Sequence, residues 1–321
     1  MNGNRHYGDM MLYSGRSCPD LAQEIAQYLD VRLAGRDLLT FSNENLFCKL
    51  HSSARGQDVY VIQTTAVNVH ESLMELLIML QTLKLDSAAR LTAVVPYLCY
   101  ARSDKKDQPR VPITARLVAD MIQSAGAERY ITIDLHAGQI QGFFSIPGDS
   151  LTAFHLLSDY LLAKKDEMHN PVVVTTDLGF AKKGRNFAEK LDVPLAFIEK
   201  RRIGNKDKAK AMTIIGDVKD RDVIIVDDEV DTAGSITQAV DVVRDFGARD
   251  VRLTFTHPVL SGPAVERLKQ ARLTEIITTN TIPIPEHKRL PNMTILSVAP
   301  LLAEVMLRAH EGRSVGELFH E

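Results

Sequence analysis

The chain has 321 residues, 45% apolar and 25% charged, the balance of a soluble globular protein long enough for two ordinary domains. Its net charge of −3 gives no general pull toward nucleic acid or anionic membrane. No apolar run is long enough to span a bilayer, and the opening Met1–Tyr7 lacks the hydrophobic centre of a signal peptide.

Taken in order, the chain alternates short apolar runs with helical stripes. Residues 1–8 are expected to fray. Met10–Ser14 reads as a first strand, and Leu21–Leu29 carries a helical pattern. Cys18, Cys48 and Cys99 are scattered without metal spacing and read as reduced cytosolic thiols used for packing. A polar loop, Phe41–Asn45, precedes a strand at Leu46–Leu50. Arg55-Gly56-Gln57-Asp58 turns into the strand Val59–Gln63, and Leu73, Leu76, Leu77 and Leu80 form the stripe of a helix. Leu91–Pro96 is the next buried strand. A charged loop, Arg102–Arg110, leads into a helix from about Ile113 to Ser124 with Gly126 after it. Tyr130–Leu135 is a strand that ends in His136.

The second half repeats the theme. Val172–Thr175 leads to Asp177, a basic helix runs to Lys190, and Leu195–Ile198 leads to Lys200-Arg201-Arg202. Val223–Val226 is a buried strand, and Ile236, Ala239, Val240 and Val243 follow at helical spacing, with Gly247 placed as a C-terminal cap. Val251–Thr256, Ile276–Thr278 and Thr294–Ser297 complete the strands, and Pro300–Ala309 is the last helix. The strand–helix–strand unit from Arg55 echoes the one from Asp220. The fold class is therefore α/β, with two related domains, each a mainly parallel sheet flanked by helices. The expected boundaries are 1–150 and 151–302, with 303–321 packing back on the first.

Between Val226 and Ile236 stand Asp227-Asp228-Glu229-Val230-Asp231 and Thr232-Ala233-Gly234-Ser235. Carboxylates lie at a strand's carboxyl end, where open α/β sheets bind ligands. Behind them, Asp231 to Ser235 would present amides and hydroxyls at a helix N-terminus, which attracts phosphate. The Asp227-Asp228 pair can accept hydrogen bonds from vicinal hydroxyls while a metal ion screens the like charge. The expected ligand has a diol at one end and a phosphate at the other, as ribose 5-phosphate does. The competing account is an acidic, N-capped turn entering an ordinary helix. The stretch resembles the phosphoribosyl-pyrophosphate signature of the type I phosphoribosyltransferase fold, with Ser235 where Thr is usual.

The loop Arg102–Arg110 packs Arg102, Lys105, Lys106 and Arg110 among Asp104, Asp107 and Gln108. On charge alone it is a solvated surface loop. As a flap, its cations would neutralise a nucleoside triphosphate. The pattern from Pro96-Tyr97 through Tyr100-Ala101-Arg102 to Pro112-Ile113 resembles ribose-phosphate pyrophosphokinases. The likeness runs from about Met11 to Phe319, including Asn68–Ile78, Ile131–Ala137, Gln139–Phe144, Lys200–Arg202, Thr279–Pro285 and Leu296–Ala303.

That resemblance implies transfer of the β,γ-diphosphoryl group of ATP to the C1 hydroxyl of ribose 5-phosphate, with Mg²⁺. It implies that Asp227 and Asp228 hold the ribose hydroxyls and that Asp231, Thr232, Ala233, Gly234 and Ser235 cradle the 5-phosphate. Arg102 and Ser103 would meet ATP, and Lys200 and Arg202 would stabilise the charge in flight. His136 would ligate Mg²⁺, with Asp177 at a second metal or pyrophosphate position. Phe41 and Asn43 would reach the adenine of a neighbouring subunit in a dimer-based homo-oligomer, a hexamer by family habit. Arg55, Arg110, Gln141, Asp149, Ser314 and Phe319 would form a site for phosphate and ADP as effectors. A cytoplasmic location and no nucleic-acid or membrane partner go with this reading.

The family pattern is broken in places. Thr175-Thr176-Asp177-Leu178-Gly179-Phe180 stands where Ser-Pro-Asp, one residue and Gly-Gly are usual. Phe180 adds bulk where backbone should approach phosphate. Lys183 replaces Arg and loses a bidentate fork. Asn45 replaces Glu in the adenine loop, and Ser103 replaces Gln. These departures admit a catalytically weak homologue that acts as the regulatory subunit of an active synthetase. A third reading is an ordinary phosphoribosyltransferase or a regulator built on that fold.

Overall fold

The computed structural model describes residues 7–176, 179–202 and 210–316, with the backbone alone at 200–202 and 210–211. The first half contains β1 (Met10–Ser14), α1 (Pro19–Tyr28), β2 (Arg36–Thr40), β3 (Leu46–Leu50), β4 (Asp58–Ile62), α2 (Val69–Leu85), β5 (Arg90–Val95), α3 (Thr114–Ala125), β6 (Arg129–Ile133) and β7 (Gly148–Leu151). The second contains α4 (Phe154–Ala163), β8 (Val172–Thr175), α5 (Ala181–Leu191), β9 (Leu195–Arg202), β10 (Lys210–Ile215), β11 (Val223–Glu229), α6 (Gly234–Asp245), β12 (Val251–His257), α7 (Ala264–Gln270), β13 (Glu275–Thr279), β14 (Met293–Leu296) and α8 (Ala299–Glu311).

The chain divides into two compact units. One runs through Thr152 and takes in Thr281–Pro283 and the described chain from Ser297 on; the other is Ala153–Asn280 with Ile284–Leu296. In the first unit the sheet order is β1-β4-β5-β6-β7, every pair parallel, and β2 and β3 form a separate antiparallel hairpin. In the second the order is β10-β9-β8-β11-β12-β13-β14, parallel except where β10 folds back on β9. The two follow one plan: a strand, a hairpin, then four strands laid outward. They differ at the hairpin, because β9 pairs with β8 whereas the chain before β2 makes only the isolated bridge Leu12–Leu33.

Both sheets are buried on both faces. β4, β8 and β12 are buried along their whole length, as parallel strands covered by helices must be. Leu73, Leu76, Met79, Leu80 and Leu83 of α2 seal the first sheet; Ile236, Ala239, Val240 and Val243 of α6 seal the second. Cys18 and Cys99 are free and buried, and burial pushes both thiols up to about 11, so they act as packing groups.

Helix α8 is held to the first unit by polar groups as well as by packing against α1. Arg90 Nε donates to Asp58 Oδ1 at 2.7 Å and Nη2 to the Ala309 carbonyl at 3.0 Å. The Tyr60 hydroxyl donates to the Met306 carbonyl at 3.1 Å, and His310 Nδ1 lies 2.8 Å from Asp58 Oδ2. Asp58 is fully buried.

Candidate active site

At the centre of the second sheet β11 lies between β8 and β12, and its carboxyl end carries the acidic turn. The Asp228 amide donates to Asp227 Oδ1 and the Glu229 amide to Asp228 Oδ1, both at 2.9 Å. These local bonds orient the adjacent carboxylates. Thr176, just past β8, donates its hydroxyl to Asp227 Oδ2 at 3.2 Å. Burial pushes the Asp227 carboxyl well above the usual carboxylate range, and the charge of Asp228 pushes it the same way. The pair therefore favours a partner that donates hydrogen bonds or carries positive charge.

Helix α6 starts at Gly234. Ala233 before it is left-handed at φ 59°, no side chain caps the helix, and no acidic residue lies in its first turn. Its opening amides and positive dipole end are thus presented to an anion. The loop after β12 braces the turn. Ser261 donates its hydroxyl to Asp231 Oδ1 and its amide to the Asp231 carbonyl, the latter at 3.0 Å. Arg267 of α7 donates Nη1 to the Thr232 carbonyl at 2.9 Å. Asp227, Asp228, Asp231, Thr232, Ala233, Gly234 and Ser235 are thereby gathered on one strand–turn–helix edge.

The neighbouring loop is set by close packing of α5 on β8. A Cβ on Gly184 would stand 2.2 Å from Thr175 Cγ2, so glycine permits this approach. Phe180 precedes α5 and is half-buried, with the Lys183 ammonium 5.4 Å from its ring centroid. Asp177 lies outside the described residues. Lys200 and Arg202 fall within β9 rather than after it, opposite Met212 and Lys210. The hairpin with β10 is what carries the strand past Ile198. The side chains of Lys200 and Arg202 are outside the description.

In the first unit Phe41 and Asn43 are exposed in the turn between β2 and β3. Phe41 packs on Phe47, ring centroids 5.9 Å apart, and its amide donates to the Asn45 carbonyl at 2.9 Å. Arg102 is exposed, and Ser103 sits at the entry to α3, where its hydroxyl and carbonyl accept the amides of Thr114 at 3.3 Å and Ala115 at 3.1 Å. Asp104 is buried and accepts from Gln139, which fastens the base of the charged loop. His136 is exposed beyond β6. Arg55, Arg110 and Ser314 are exposed on different loops and Gln141 is exposed on the 3-10 turn Gly138–Phe143, whereas Asp149 is buried in β7 and accepts from Arg129. Phe319 lies outside the described residues.

The family model for the N-terminal domain of ribose phosphate pyrophosphokinase matches residues 10–126, and that for the phosphoribosyl synthetase-associated domain matches 201–320. A ribose-phosphate pyrophosphokinase of Caldanaerobacter subterraneus subsp. tengcongensis is 48% identical over 317 residues, 98% of this chain and 99% of that one. The chain belongs to the ribose-phosphate pyrophosphokinase family. A Clostridium acetobutylicum member is 45% identical over 98% of this chain and 99% of its own. The crystal structure of phosphoribosylpyrophosphate synthetase from Mycobacterium smegmatis is 42% identical and superposes with a TM-score of 0.90, over 95% of this chain and all of that one.

Three residues of this pyrophosphokinase edge were not singled out from sequence: Thr176 for this contact, Ser261 and Arg267. Thr176 and Ser261 had a signal, since each follows a strand next to the acidic one. Arg267 had none, because a lone Arg on a short helix looks like any surface cation.

Proposed function

We propose that the protein is a ribose-phosphate diphosphokinase, transferring the diphosphoryl group of ATP to the C1 hydroxyl of ribose 5-phosphate to give 5-phosphoribosyl 1-pyrophosphate and AMP. The observation that carries this reading is the acidic strand end joined to an uncapped helix N-terminus, in a chain of this family. Asp227 and Asp228 accept the ribose hydroxyls. The amides and hydroxyls from Asp231 to Ser235 hold the 5-phosphate. Arg102 meets the ATP phosphates, Ser103 positions the flap through α3, and Phe41 and Asn43 meet adenine across a subunit boundary. Lys200 and Arg202 offset charge on the transferring group, a reaction that needs alignment and neutralisation more than covalent help.

Among the described residues no group of three His, Cys, Asp or Glu side chains is arranged to hold a metal ion. Mg²⁺ suits such a site, since it keeps water and substrate phosphates as most of its ligands. The like-charged pair Asp227-Asp228 fits the neighbourhood of a cation. His136 would be its protein ligand, with Asp177 at a second metal or pyrophosphate position, and the ion would neutralise the triphosphate.

Among the described residues no helix is long and apolar enough to cross a membrane. A cytoplasmic location, a homo-oligomer built from dimers up to a hexamer, and phosphate and ADP as effectors at Arg55, Arg110, Gln141, Asp149, Ser314 and Phe319 belong to the same proposal. The regulatory-subunit alternative draws no support from the comparisons. The test is product analysis on the pure protein. AMP is expected from ATP only with ribose 5-phosphate and Mg²⁺ together; ADP as the main product would overturn the reading.

A further inference from the structure

We infer that Arg267 is a positioning residue for ribose 5-phosphate, holding the Thr232–Gly234 turn and supplying positive charge beside the 5-phosphate. This rests on the functional reading above and adds a residue to its substrate loop. The turn is crowded with negative charge: Asp227, Asp228, Glu229 and Asp231 lie within five residues. A phosphate dianion brought to α6 meets that field, and the amide dipoles must work against it.

Arg267 stands at the point of conflict. Its Nη1 donates to the Thr232 carbonyl at 2.9 Å, one residue before left-handed Ala233. A Cβ built on Gly234 would stand 3.3 Å from the same Nη1. The guanidinium therefore lies against the first residue of α6, and a side chain at position 234 would crowd it. A cation beside a helix N-terminus is unfavourable by itself, since both are positive. No acidic residue of α6's first turn offsets it. The carboxylates of the acidic turn offset part of that cost, and a phosphate beside both would stabilise the arrangement further. A guanidinium also matches phosphate geometry better than an ammonium does. Ser261, from the same loop, holds Asp231 by its hydroxyl and amide, so the β12–α7 connection braces both ends of the turn.

Steady-state AMP release, with each substrate varied in turn, tests this on the full-length protein, R267M, R267K and R267Q. R267M should raise KM for ribose 5-phosphate about ten- to a hundredfold, the range for a hydrogen bond to a charged group. KM for ATP should stay within about twofold. R267K should recover part of the loss by restoring the charge without the planar fork. Added salt should narrow the gap between wild type and R267M. If R267M melts below the assay temperature, R267Q, neutral and polar, gives the same reading. An unchanged KM for ribose 5-phosphate in the folded neutral variant, with wild type active, overturns the inference alone. A fall in kcat with both KM values unchanged does the same. No AMP release from wild type overturns the functional reading and this inference together.

Discussion

Asp227 carries the sharpest electrostatic conflict at the residue scale. Burial and Asp228 favour its protonated form, while the Thr176 hydroxyl and the Asp228 amide favour the charged one. Ribose hydroxyls need an acceptor, so the acid limb of kcat/KM for ribose 5-phosphate should follow this group. Thr176→Val removes a bond to the carboxylate and raises its pKa further. The acid limb should then move to higher pH, and a pH–rate profile checks it. The stability sign follows from the same shift. A carboxyl raised on folding contributes stability below its unfolded pKa and loses it as pH rises through the folded value. Asp227→Asn should therefore melt higher than wild type on the alkaline side while losing ribose 5-phosphate binding, a site kept at a cost in stability.

Glycine and one half-buried carboxylate set how helices meet the second sheet. Gly184 lets α5 lie close on β8. Gly184→Ala gains about 1 kcal/mol of helix propensity but overpacks against the stiff Thr175 side chain at about 1–3 kcal/mol. A net loss of up to about 2 kcal/mol is expected in urea unfolding, with a higher KM for ribose 5-phosphate. Glu275 on β13 ties α4 to the sheet, accepting from Tyr160 at 2.6 Å, Lys164 at 2.8 Å and Thr294 at 3.0 Å. Burial alone would push its pKa up; these three donors hold it below the usual carboxylate range. A lowered carboxyl gives stability above its unfolded pKa of about 4.3 and loses it as pH falls through the folded value. Glu275→Gln should lower the melting temperature at pH 7 and flatten its fall in acid. The elements not anticipated, β2, β7, β10, α4 and α7, are mostly short or mixed in polarity. β2 is mostly exposed, with Leu38 packing on the first core and Leu39 facing out, so no apolar alternation marked it.

For the whole molecule, the duplicated plan explains why one unit carries the acidic turn and the other does not. After β4 the chain reads Gln63–Asn68, and Gln63 is buried. Its Nε2 donates to Glu75 Oε1 at 2.9 Å, and its Oε1 accepts the Ser17 amide at 3.1 Å. Where the second unit has its acidic turn, the first has this buried, hydrogen-bonded side chain. The C-terminal helix is fixed to the first unit through Asp58. Arg90→Met would leave that carboxylate buried without its guanidinium, which costs about 3–5 kcal/mol. Loss of urea stability and faster cleavage near α8 in limited proteolysis are the expected results; an unchanged midpoint would show that His310 and Tyr60 suffice.

The alternation of apolar runs and stripes determined that this is a two-part α/β chain. The order Asp-Asp, Asp, Thr-Ala-Gly-Ser after one such run determined the chemistry expected there, because strand ends, amide turns and carboxylates act through local spacing. Tertiary structure alone decided which residues support that turn. Thr176, Ser261 and Arg267 arrive from neighbouring connections, and their contacts depend on β11 lying between β8 and β12. Asp149 shows the same limit: only the family resemblance implied a role for it, at an effector site, while strand pairing brought Arg129 to it. Spacing along a chain encodes local geometry, but a partner across a sheet exists only once the strands are ordered.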